Sequence, residues 1–236
     1  MKNMMIFFFF TMIFVIGCSD NSTNNPDNTV TDTVFTDARD GKKYGIVKIN
    51  SQVWMSENLN ASTYRNGDPI RYARTPEEWV DAAEKKEGAW CYYDNEPKNG
   101  ELYGKLYNWY AVNDSRGLAP KGYHIPSNAE WTILTDMLGG EEIAGKKMKS
   151  TTGWTGSGNG DNSSGFNGLS GGYCYSNGGF YIVSEDGYFW SSSENNTGSA
   201  WYRHLYCDGS RVGAYYASDG SYVSEGAGMS IRCLRD

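Results

Sequence analysis

The spacing of apolar residues changes character at Gly153, which divides the chain into two regions of different predicted structure. Before that point, alternation over residues 44–59 predicts a β-hairpin, and helical spacing predicts two helices, over residues 75–88 and 127–139. Residues 141–149 are expected to add a short helical turn. The first region is therefore expected to carry the helices of the fold.

Residue types at the helix ends support these predictions. Thr75 is a good N-cap, Pro76 suits the first helical position, and Gly88 would end the first helix. Ser127 followed by Glu130 is the pattern of a capping box, in which each side chain bonds the other residue's backbone N–H. The apolar face of the second helix is expected to comprise Trp131, Leu134, Met137 and Leu138.

From Gly153 onward, clusters of Gly, Asn, Asp and Ser separate short aromatic segments, which predicts antiparallel strands. Residues 201–206 alternate, Asp208-Gly209 is a hairpin signal, and residues 211–216 run back. The expected last strand has Met229, Ile231 and Cys233 on one face and Ser230 and Arg232 on the other. Two helices followed by a β-rich half predict an α+β fold.

The N-terminus has the pattern of a bacterial lipoprotein signal. Lys2 gives a positive start, and an apolar run of about 13 residues follows, which is too short to span a membrane. The run ends in VIGC, which resembles the lipobox that precedes a lipid-modified cysteine. We therefore expect residues 1–17 to be a signal peptide and Cys18 to be the lipid attachment site.

The polar residues after this cysteine are expected to form a tether. Residues 18–34 lack periodicity and are low in apolar residues, so they are expected to be disordered, and the sixteen residues after Cys18 would reach roughly 22 Å. Asp20 lies close to the cysteine, as in the surface-export signals of Bacteroidetes lipoproteins. The folded domain is expected over residues 35–236, lipid-anchored to the outer membrane or cell surface.

Composition narrows the class of partner. The 236 residues include 21 Lys and Arg against 28 Asp and Glu, a net charge of −7, so a nucleic-acid partner is not expected. Aromatic residues make up 15% of the chain, and Tyr and Trp offer contact area with few rotamers to freeze. The expected partner is an extracellular glycan or a surface protein.

Four of the five cysteines lie in the expected domain, and four cysteines allow three disulfide connectivities. Exported proteins fold where disulfides persist. Cys174 and Cys207 are expected on neighbouring strands, which favours Cys174–Cys207. The second favoured pair is Cys91–Cys233, because it would close a long loop and so restrain the unfolded chain most. No CxxC or Cys/His cluster is present, so no metal site is expected. Calcium stays possible, because the loop of residues 157–164 offers oxygen ligands, although without EF-hand spacing.

Residues 189–210 contain the residue types of a serine hydrolase, in the stretch FWSSSENNTGSAWYRHLYCDGS. A nucleophilic serine normally stands on a strained turn of the GxSxG type, and no such elbow surrounds Ser191–Ser193. These serines are interpreted as strand residues that lead into a turn, and His204 as a packed or surface histidine. A hydrolase is therefore only the third hypothesis, and the chain is not expected to be an enzyme.

Aromatic residues of the C-terminal half offer a different kind of site. Their flat faces can pack on the apolar faces of sugar rings, while polar side chains satisfy the hydroxyl groups. Alternation along the strands directs about half of these residues into the core. We expect the others to form an exposed patch whose members are Trp201, Tyr202, Asp208, Tyr215 and Tyr216.

Several segments, in order, resemble the Fibrobacter succinogenes major paralogous domain, a family of secreted and surface proteins of Fibrobacter and Bacteroidetes. They lie between residues 36 and 236 and include KINSQVWMSENLN, ELYGKLYNWYAV, GYHIPSNAEW, GYFWSSSE and MSIRCLRD. The resemblance implies a fold related to the C-type-lectin-like domain and to the formylglycine-generating enzyme. It implies no biochemical activity, because the family has none assigned.

Many members of this family carry Cys-Pro before the segment GYHIPS, where this chain has Leu118-Ala119-Pro120. The resemblance therefore favours Cys91 as the partner of Cys233. The favoured function is a non-catalytic cell-surface binding module for glycans. The alternative is a structural or protein-binding surface module that acts in adhesion or assembly.

Overall fold

A computed structural model describes residues 33–196, 198–218 and 223–236. The expected signal peptide, the lipid attachment site Cys18 and nearly all of the tether lie outside these residues. Within them, helices are combined with mostly antiparallel sheets, which confirms the predicted α+β class. Across the same ranges, no helix is both long and apolar enough to cross a lipid bilayer.

Short strands are distributed along the whole described chain. In order they are β1 (Val34–Thr36), β2 (Lys43–Ile49), β3 (Gln52–Met55), β4 (Arg71–Tyr72), β5 (Ala89–Cys91), β6 (Leu106–Tyr107), β7 (Tyr123–His124), β8 (Tyr173–Cys174), β9 (Phe180–Tyr181), β10 (Gly187–Asn196), β11 (Ser199–Leu205), β12 (Val212–Ser218) and β13 (Leu234–Arg235).

The largest sheet joins early and late parts of the chain, in the strand order β1-β2-β3-β13-β7. Its β2–β3 pair is the predicted hairpin. Asn50 makes the turn with a positive φ of 55°, which Asn adopts more readily than most residues. A second sheet has the order β10-β11-β12 and a third the order β4-β5-β6, and β8 pairs with β9.

The first predicted helix is confirmed at its start and corrected at its end. Thr75 caps it by accepting a hydrogen bond from the Glu78 N–H, as predicted. The chain leaves the helix at Lys86, whose φ of 53° is left-handed, so Gly88 does not end it. Gly88 serves close packing instead, because a Cβ there would lie 2.9 Å from the Ala111 Cα. The helices are α1 (Pro76–Glu84), α2 (Pro97–Tyr103), α3 (Trp109–Val112), α4 (Asn128–Met137) and α5 (Glu141–Met148).

The capping box of α4 is present as predicted, since Ser127 and Glu130 bond each other's backbone N–H. The predicted apolar face needs one correction. Met137 is 40% exposed, because six residues after Trp131 the helix has turned about 120° away from that side chain. Thr135 is buried in its place, with its hydroxyl donating to the Trp131 carbonyl.

The predicted last strand is mostly an irregular buried segment. Residues 229–233 precede β13, and the sequence pattern placed Ser230 and Arg232 on a separate face from their apolar neighbours. Both are buried, so the face opposite Met229, Ile231 and Cys233 is covered as well. The segment is covered from two sides. Met229 forms an isolated β-bridge with Tyr107 on one side, and Ser230 forms one with Phe189 on the other.

Arg232 joins three parts of the core. Its guanidinium donates two hydrogen bonds to Asn58 Oδ1, at 3.1 and 2.8 Å, and others to the carbonyls of Met55, Phe166 and Asn167. Burial lowers its pKa to about 9. Since these contacts satisfy its donors with neutral acceptors, the residue acts as a structural tie between the first hairpin and the last segment.

The β10-β11-β12 sheet separates two hydrophobic clusters. Phe189 and Leu205 face one cluster, which includes Trp131 of α4. Trp190 and Tyr202 face the other and larger cluster, here called the main core, which also contains residues of the first hairpin. The hairpin of β11 and β12 is thus supported on both faces, which gives it a fixed position for a surface site.

Candidate binding site

The β11–β12 hairpin brings together four of the five residues predicted to bind ligand. Trp201 lies opposite Tyr216, and Tyr202 lies opposite Tyr215. Because successive strand residues point to opposite faces, the two pairs lie on different faces of the sheet. The ring centroids are 5.7 Å apart in the first pair and 5.9 Å apart in the second.

These four aromatic side chains differ in exposure. Tyr216 is 51% exposed, and Trp201 and Tyr215 are half-buried, whereas Tyr202 is 9% exposed and belongs to the main core. Tyr202 therefore supports the site more than it offers a ring face. A cavity of about 490 Å³ is lined by Trp201, Tyr202, Ala214, Tyr215, Tyr216, Ser218 and Val223.

Tyr215 is held in place by a second tyrosine. Its hydroxyl lies 2.5 Å from the hydroxyl of Tyr206. Gly213 makes room for this contact, because a Cβ there would lie 2.3 Å from the Tyr215 ring and 3.0 Å from the Tyr206 hydroxyl oxygen. Burial raises the pKa of Tyr206, and the bond to Tyr215 raises it further, so Tyr206 stays protonated at neutral pH.

The fifth predicted residue does not lie with the aromatic four. Asp208 is exposed in the turn that joins β11 to β12, beyond the pair of Leu205 and Val212. Trp201 and Tyr216 pair towards the other end of the same hairpin. The grouping of Asp208 with the aromatic residues is corrected, because the extended strands separate the tip of a hairpin from its far end.

His204 is packed among aromatic rings and one carboxylate. Its Nε2 lies 2.8 Å from Asp186 Oδ2, and its ring stacks on Tyr188 at 4.2 Å and lies 3.7 Å from Tyr206. Burial raises the pKa of Asp186, but hydrogen bonds from His204 and the Cys207 N–H lower it by more, so the net pKa is below its usual value. These contacts fit a packed histidine.

The three consecutive serines connect β10 to two helices. The Ser191 hydroxyl accepts a hydrogen bond from the Ser193 N–H at 3.1 Å, and the Ser191 carbonyl accepts one from Trp109 Nε1. The Ser193 hydroxyl accepts from the Asn128 N–H at the start of α4. The hydrogen bonds of these serines therefore go to structural partners, while His204 is bonded to a carboxylate.

A GxSxG match elsewhere in the chain was missed by the sequence reasoning. Residues 168–172 read GLSGG, which fits the pattern of a nucleophile elbow. Ser170 is buried, however, and its hydroxyl donates to the Gly153 carbonyl at 2.6 Å. The residues that follow lead into β8 and not into a helix, so the local structure differs from that of an elbow.

A second histidine forms a cluster that the sequence did not reveal. His124 Nδ1 lies 2.8 Å from Asp236 Oδ1, and His124 Nε2 lies 3.0 Å from Glu130 Oε1. Ser192 lines the same groove of about 320 Å³. Both ring nitrogens contact carboxylates, so neither is placed to take a proton from Ser192. The cluster instead ties the first turn of α4 to the end of β13.

The loop considered for calcium uses its oxygens internally. Asn159, Asp161 and Asn162 each accept, through a side-chain oxygen, a hydrogen bond from a backbone N–H of the loop or its flanks. Such bonds stabilise turns without a cation. Among the residues that the structure describes, no group of three or more His, Cys, Asp or Glu side chains is arranged to hold a metal ion.

The cysteines of the domain are thiols, and neither expected disulfide is present. Cys91 and Cys174 share one hydrophobic cluster, Cys233 lies in the main core, and Cys207 packs against the α4 side of the sheet. The pairings Cys91–Cys233 and Cys174–Cys207 are not seen, and each would join cysteines of different clusters. The sequence could not show that β8 directs its cysteine towards β5.

The chain was compared with known proteins by family and by similarity. A family model described as Fibrobacter succinogenes major domain matches residues 47–235, a range that includes the aromatic hairpin. No curated protein and no solved structure matches the chain. The family description assigns no activity, so a function has to be argued from the geometry of the site.

Proposed function

The chain belongs to the Fibrobacter succinogenes major domain family, as its motifs predicted, and on that premise we propose that it is a non-catalytic module that binds glycans at the cell surface. The observation that carries the proposal is the aromatic cavity on the β11–β12 hairpin, with Trp201, Tyr215 and Tyr216 in its lining. Tyr202, in the main core, packs against Tyr215 with ring centroids 5.9 Å apart.

The chemistry of this cavity suits a sugar ring. Indole and phenol faces pack against the apolar C–H faces of pyranose rings, and phenol hydroxyls can exchange hydrogen bonds with sugar hydroxyls. Ser218 also lines the cavity. Trp201 and Tyr215 are half-buried, so the fold restricts their rotamers while part of each ring stays accessible to a ligand. Because these side chains are already ordered, less conformational entropy is lost on binding.

The proposal includes a lectin-like architecture and a lipid anchor. The two capped helices and the antiparallel hairpin sheet support a C-type-lectin-like arrangement. The lipobox-like residues that end in Cys18 support export and anchoring to the outer membrane or cell surface. Calcium is not part of the proposed site, so binding is expected to persist in excess chelator.

The test is a glycan array followed by titration of tryptophan fluorescence. We expect the purified protein to bind a restricted set of plant, host or bacterial glycans. Trp201→Ala and Tyr216→Ala should each weaken binding by about 10-fold or more, because each removes a stacking surface. Tyr181→Ala is the matched control, since Tyr181 is 45% exposed but lies on β9, outside the cavity.

Two outcomes would contradict the proposal. No binding above background across the array would exclude the glycan function. Binding that survives both cavity variants but is lost with Tyr181→Ala would place the site elsewhere on the molecule.

A protein-binding module is the second candidate, and the place of β12 at the edge of its sheet favours it. An edge strand with an exposed tyrosine can contact a partner protein through backbone and ring. A pull-down from native envelope separates the two functions. A stoichiometric protein partner that is unaffected by competing sugars supports this candidate, and release of the captured material by sugars supports the first.

A further inference from the structure

Cys91 and Cys174 are brought into contact although they are 83 residues apart. Cys91 ends β5 and Cys174 ends β8, and these strands belong to different sheets. Both side chains are buried in one hydrophobic cluster, which also contains Trp79 and Leu106. Cys174 acts electrostatically on the Cys91 thiol, so the two side chains are neighbours in an apolar environment.

Backbone contacts fix the position of Cys174. Its N–H donates to the Gly228 carbonyl at 2.9 Å, and its carbonyl accepts from the Gly228 N–H at 2.7 Å. A Cβ at position 228 would lie 3.1 Å from the Cys174 Cβ and 2.9 Å from the Trp79 ring. Glycine at this position therefore lets the Cys174 side chain stay between the last segment and Cys91.

We propose that Cys91 and Cys174 are a disulfide-forming pair, which links the β4-β5-β6 sheet to the β8–β9 hairpin under oxidising conditions. The reaction is thiol–disulfide exchange with a partner disulfide, such as oxidised glutathione or a protein thiol oxidant. The two thiols give up two electrons and two protons as the Sγ–Sγ bond forms. The partner's S–S bond breaks, and the partner leaves as two thiols.

Burial decides when this bond forms. Attack on a disulfide needs a thiolate, and burial raises the pKa of the Cys91 thiol well above its usual value. Both sulfur atoms are also shielded from a partner molecule in the folded protein. The exchange therefore takes place during folding, while the cluster is still open. Once closed, the bond is shielded from reductants by the same burial.

The other two cysteines of the domain have different surroundings. Cys233 lies in the main core, and burial raises its pKa to about 12. Cys207 is half-buried beside Asp186, and burial together with that carboxylate raises its pKa. Neither shares a hydrophobic cluster with another cysteine. A single disulfide is therefore expected, not the two that the even number of cysteines suggests.

The test refolds the reduced, unfolded chain with a mixture of reduced and oxidised glutathione, blocks free thiols, and maps peptides by mass spectrometry without reduction. We expect one linked pair, which joins the peptides that contain Cys91 and Cys174, and a mass lower by about 2 Da for that link. Cys91→Ser and Cys174→Ser should each abolish it, whereas Cys207→Ser should leave it unchanged.

The wild-type peptide map decides the question even if a variant folds poorly. Blocked, unlinked Cys91 and Cys174 in refolded protein would overturn the proposal, and so would links of either residue to Cys207 or Cys233. A thermal melt adds an independent readout. Reductant present during refolding should lower the midpoint by roughly 10 °C, because the bond closes a long loop in the unfolded chain. Equal midpoints with and without reductant would also contradict the proposal.

This inference is independent of glycan binding. A failed glycan array leaves the linked peptides as expected, and unlinked peptides leave the aromatic cavity unaffected. Export to an oxidising compartment, which is part of the proposed function, decides only where the bond would form in a cell.

Discussion

The cluster around Trp90 and the cluster around Trp201 are both rich in aromatic rings, yet they are built differently. Trp90 stacks on Tyr72 with ring centroids 4.0 Å apart, and the Lys105 ammonium lies 4.3 Å from the Trp90 ring. Trp201 instead meets Tyr216 edge to face at 5.7 Å. The first cluster is covered by its own stacked ring and cation, whereas the second borders an open cavity.

Lysine and arginine side chains cover the ring faces of the Trp90 cluster. Lys105 donates to the Asn60 carbonyl at 2.7 Å and to Asn60 Oδ1 at 2.8 Å while lying over Trp90 and Tyr92. Arg74 lies over Tyr72 in the same way. Aromatic residues whose faces already carry internal partners contribute to stability. A half-exposed pair that lines a cavity is the better candidate for binding.

The largest expected effect on stability comes from removing the Trp90 side chain. Trp90→Ala should lower the free energy of unfolding by about 3–5 kcal/mol, because it removes a buried indole and leaves a cavity under Lys105. Urea unfolding followed by circular dichroism measures the change. Tyr181→Ala, at an exposed position, is the control and should change stability by less than about 0.5 kcal/mol. A loss below about 1 kcal/mol for Trp90→Ala would contradict the structural role of this cluster.

The second expected effect is a change of stability with pH, which tests whether the Lys105 ammonium is buried. Burial lowers the pKa of Lys105 from 10.5 to about 8. Between these values the unfolded chain binds a proton that the folded protein has lost, so the free energy of unfolding rises with pH. Relative to Lys105→Met, wild-type stability should rise by on the order of 2 kcal/mol from pH 7.5 to pH 10.

Unfolding curves for both proteins, collected at several pH values in that range, measure this difference. A flat or falling difference would mean that Lys105 is solvated in the folded protein. The Trp90 cluster would then be as open as the Trp201 cluster, and the contrast between them would disappear.

A smaller effect is expected at Gly213, which makes room for the Tyr215 ring beside the Trp201 cluster. Gly213→Ala would push the added methyl group into the Tyr215 ring and strain its bond to Tyr206. We expect a loss of about 1–2 kcal/mol in stability, together with weaker glycan binding. Gly209→Ala is the matched control, because its Cβ would meet nothing nearer than a backbone nitrogen at 4.0 Å. Equal stability of the two variants would show that the tyrosine pair adapts freely.

The smallest effect on stability is expected at Tyr216, within the cluster around Trp201. Tyr216→Ala should change the free energy of unfolding by less than about 0.5 kcal/mol, because its side chain is largely exposed. Leu102→Ala, at a position that is 59% exposed, is the control for loss of exposed surface. A loss of more than about 2 kcal/mol for Tyr216→Ala would reclassify the cluster as part of the core.

Local patterns explain which parts of this structure the sequence predicts. The capping box of Ser127 and Glu130, the N-cap at Thr75 and the hairpin turn at Asn50 depend on residues a few positions apart, and all three are present. The helices α2 and α3 escaped prediction, because seven and four residues carry too short a periodic pattern.

Long-range packing explains what the sequence did not predict. The contact of Cys91 with Cys174 depends on how β8 meets the last segment through Gly228. In the candidate site, the sequence predicted the hairpin that joins residues 201–206 to residues 211–216, and the structure pairs Trp201 with Tyr216 across it. The sequence could not show that Tyr202 is in the core, since burial of that face depends on residues of the first hairpin.

The central position of β13 has a consequence for how the chain folds. This strand follows the other strands of its sheet in the chain, yet it lies between β3 and β7, and Arg232 just before it contacts Asn58, 174 positions earlier. The largest sheet cannot be completed until residues 34–235 are all available. Contacts between such distant residues form slowly, because a long loop must close first. The order of the strands thus delays completion of the fold.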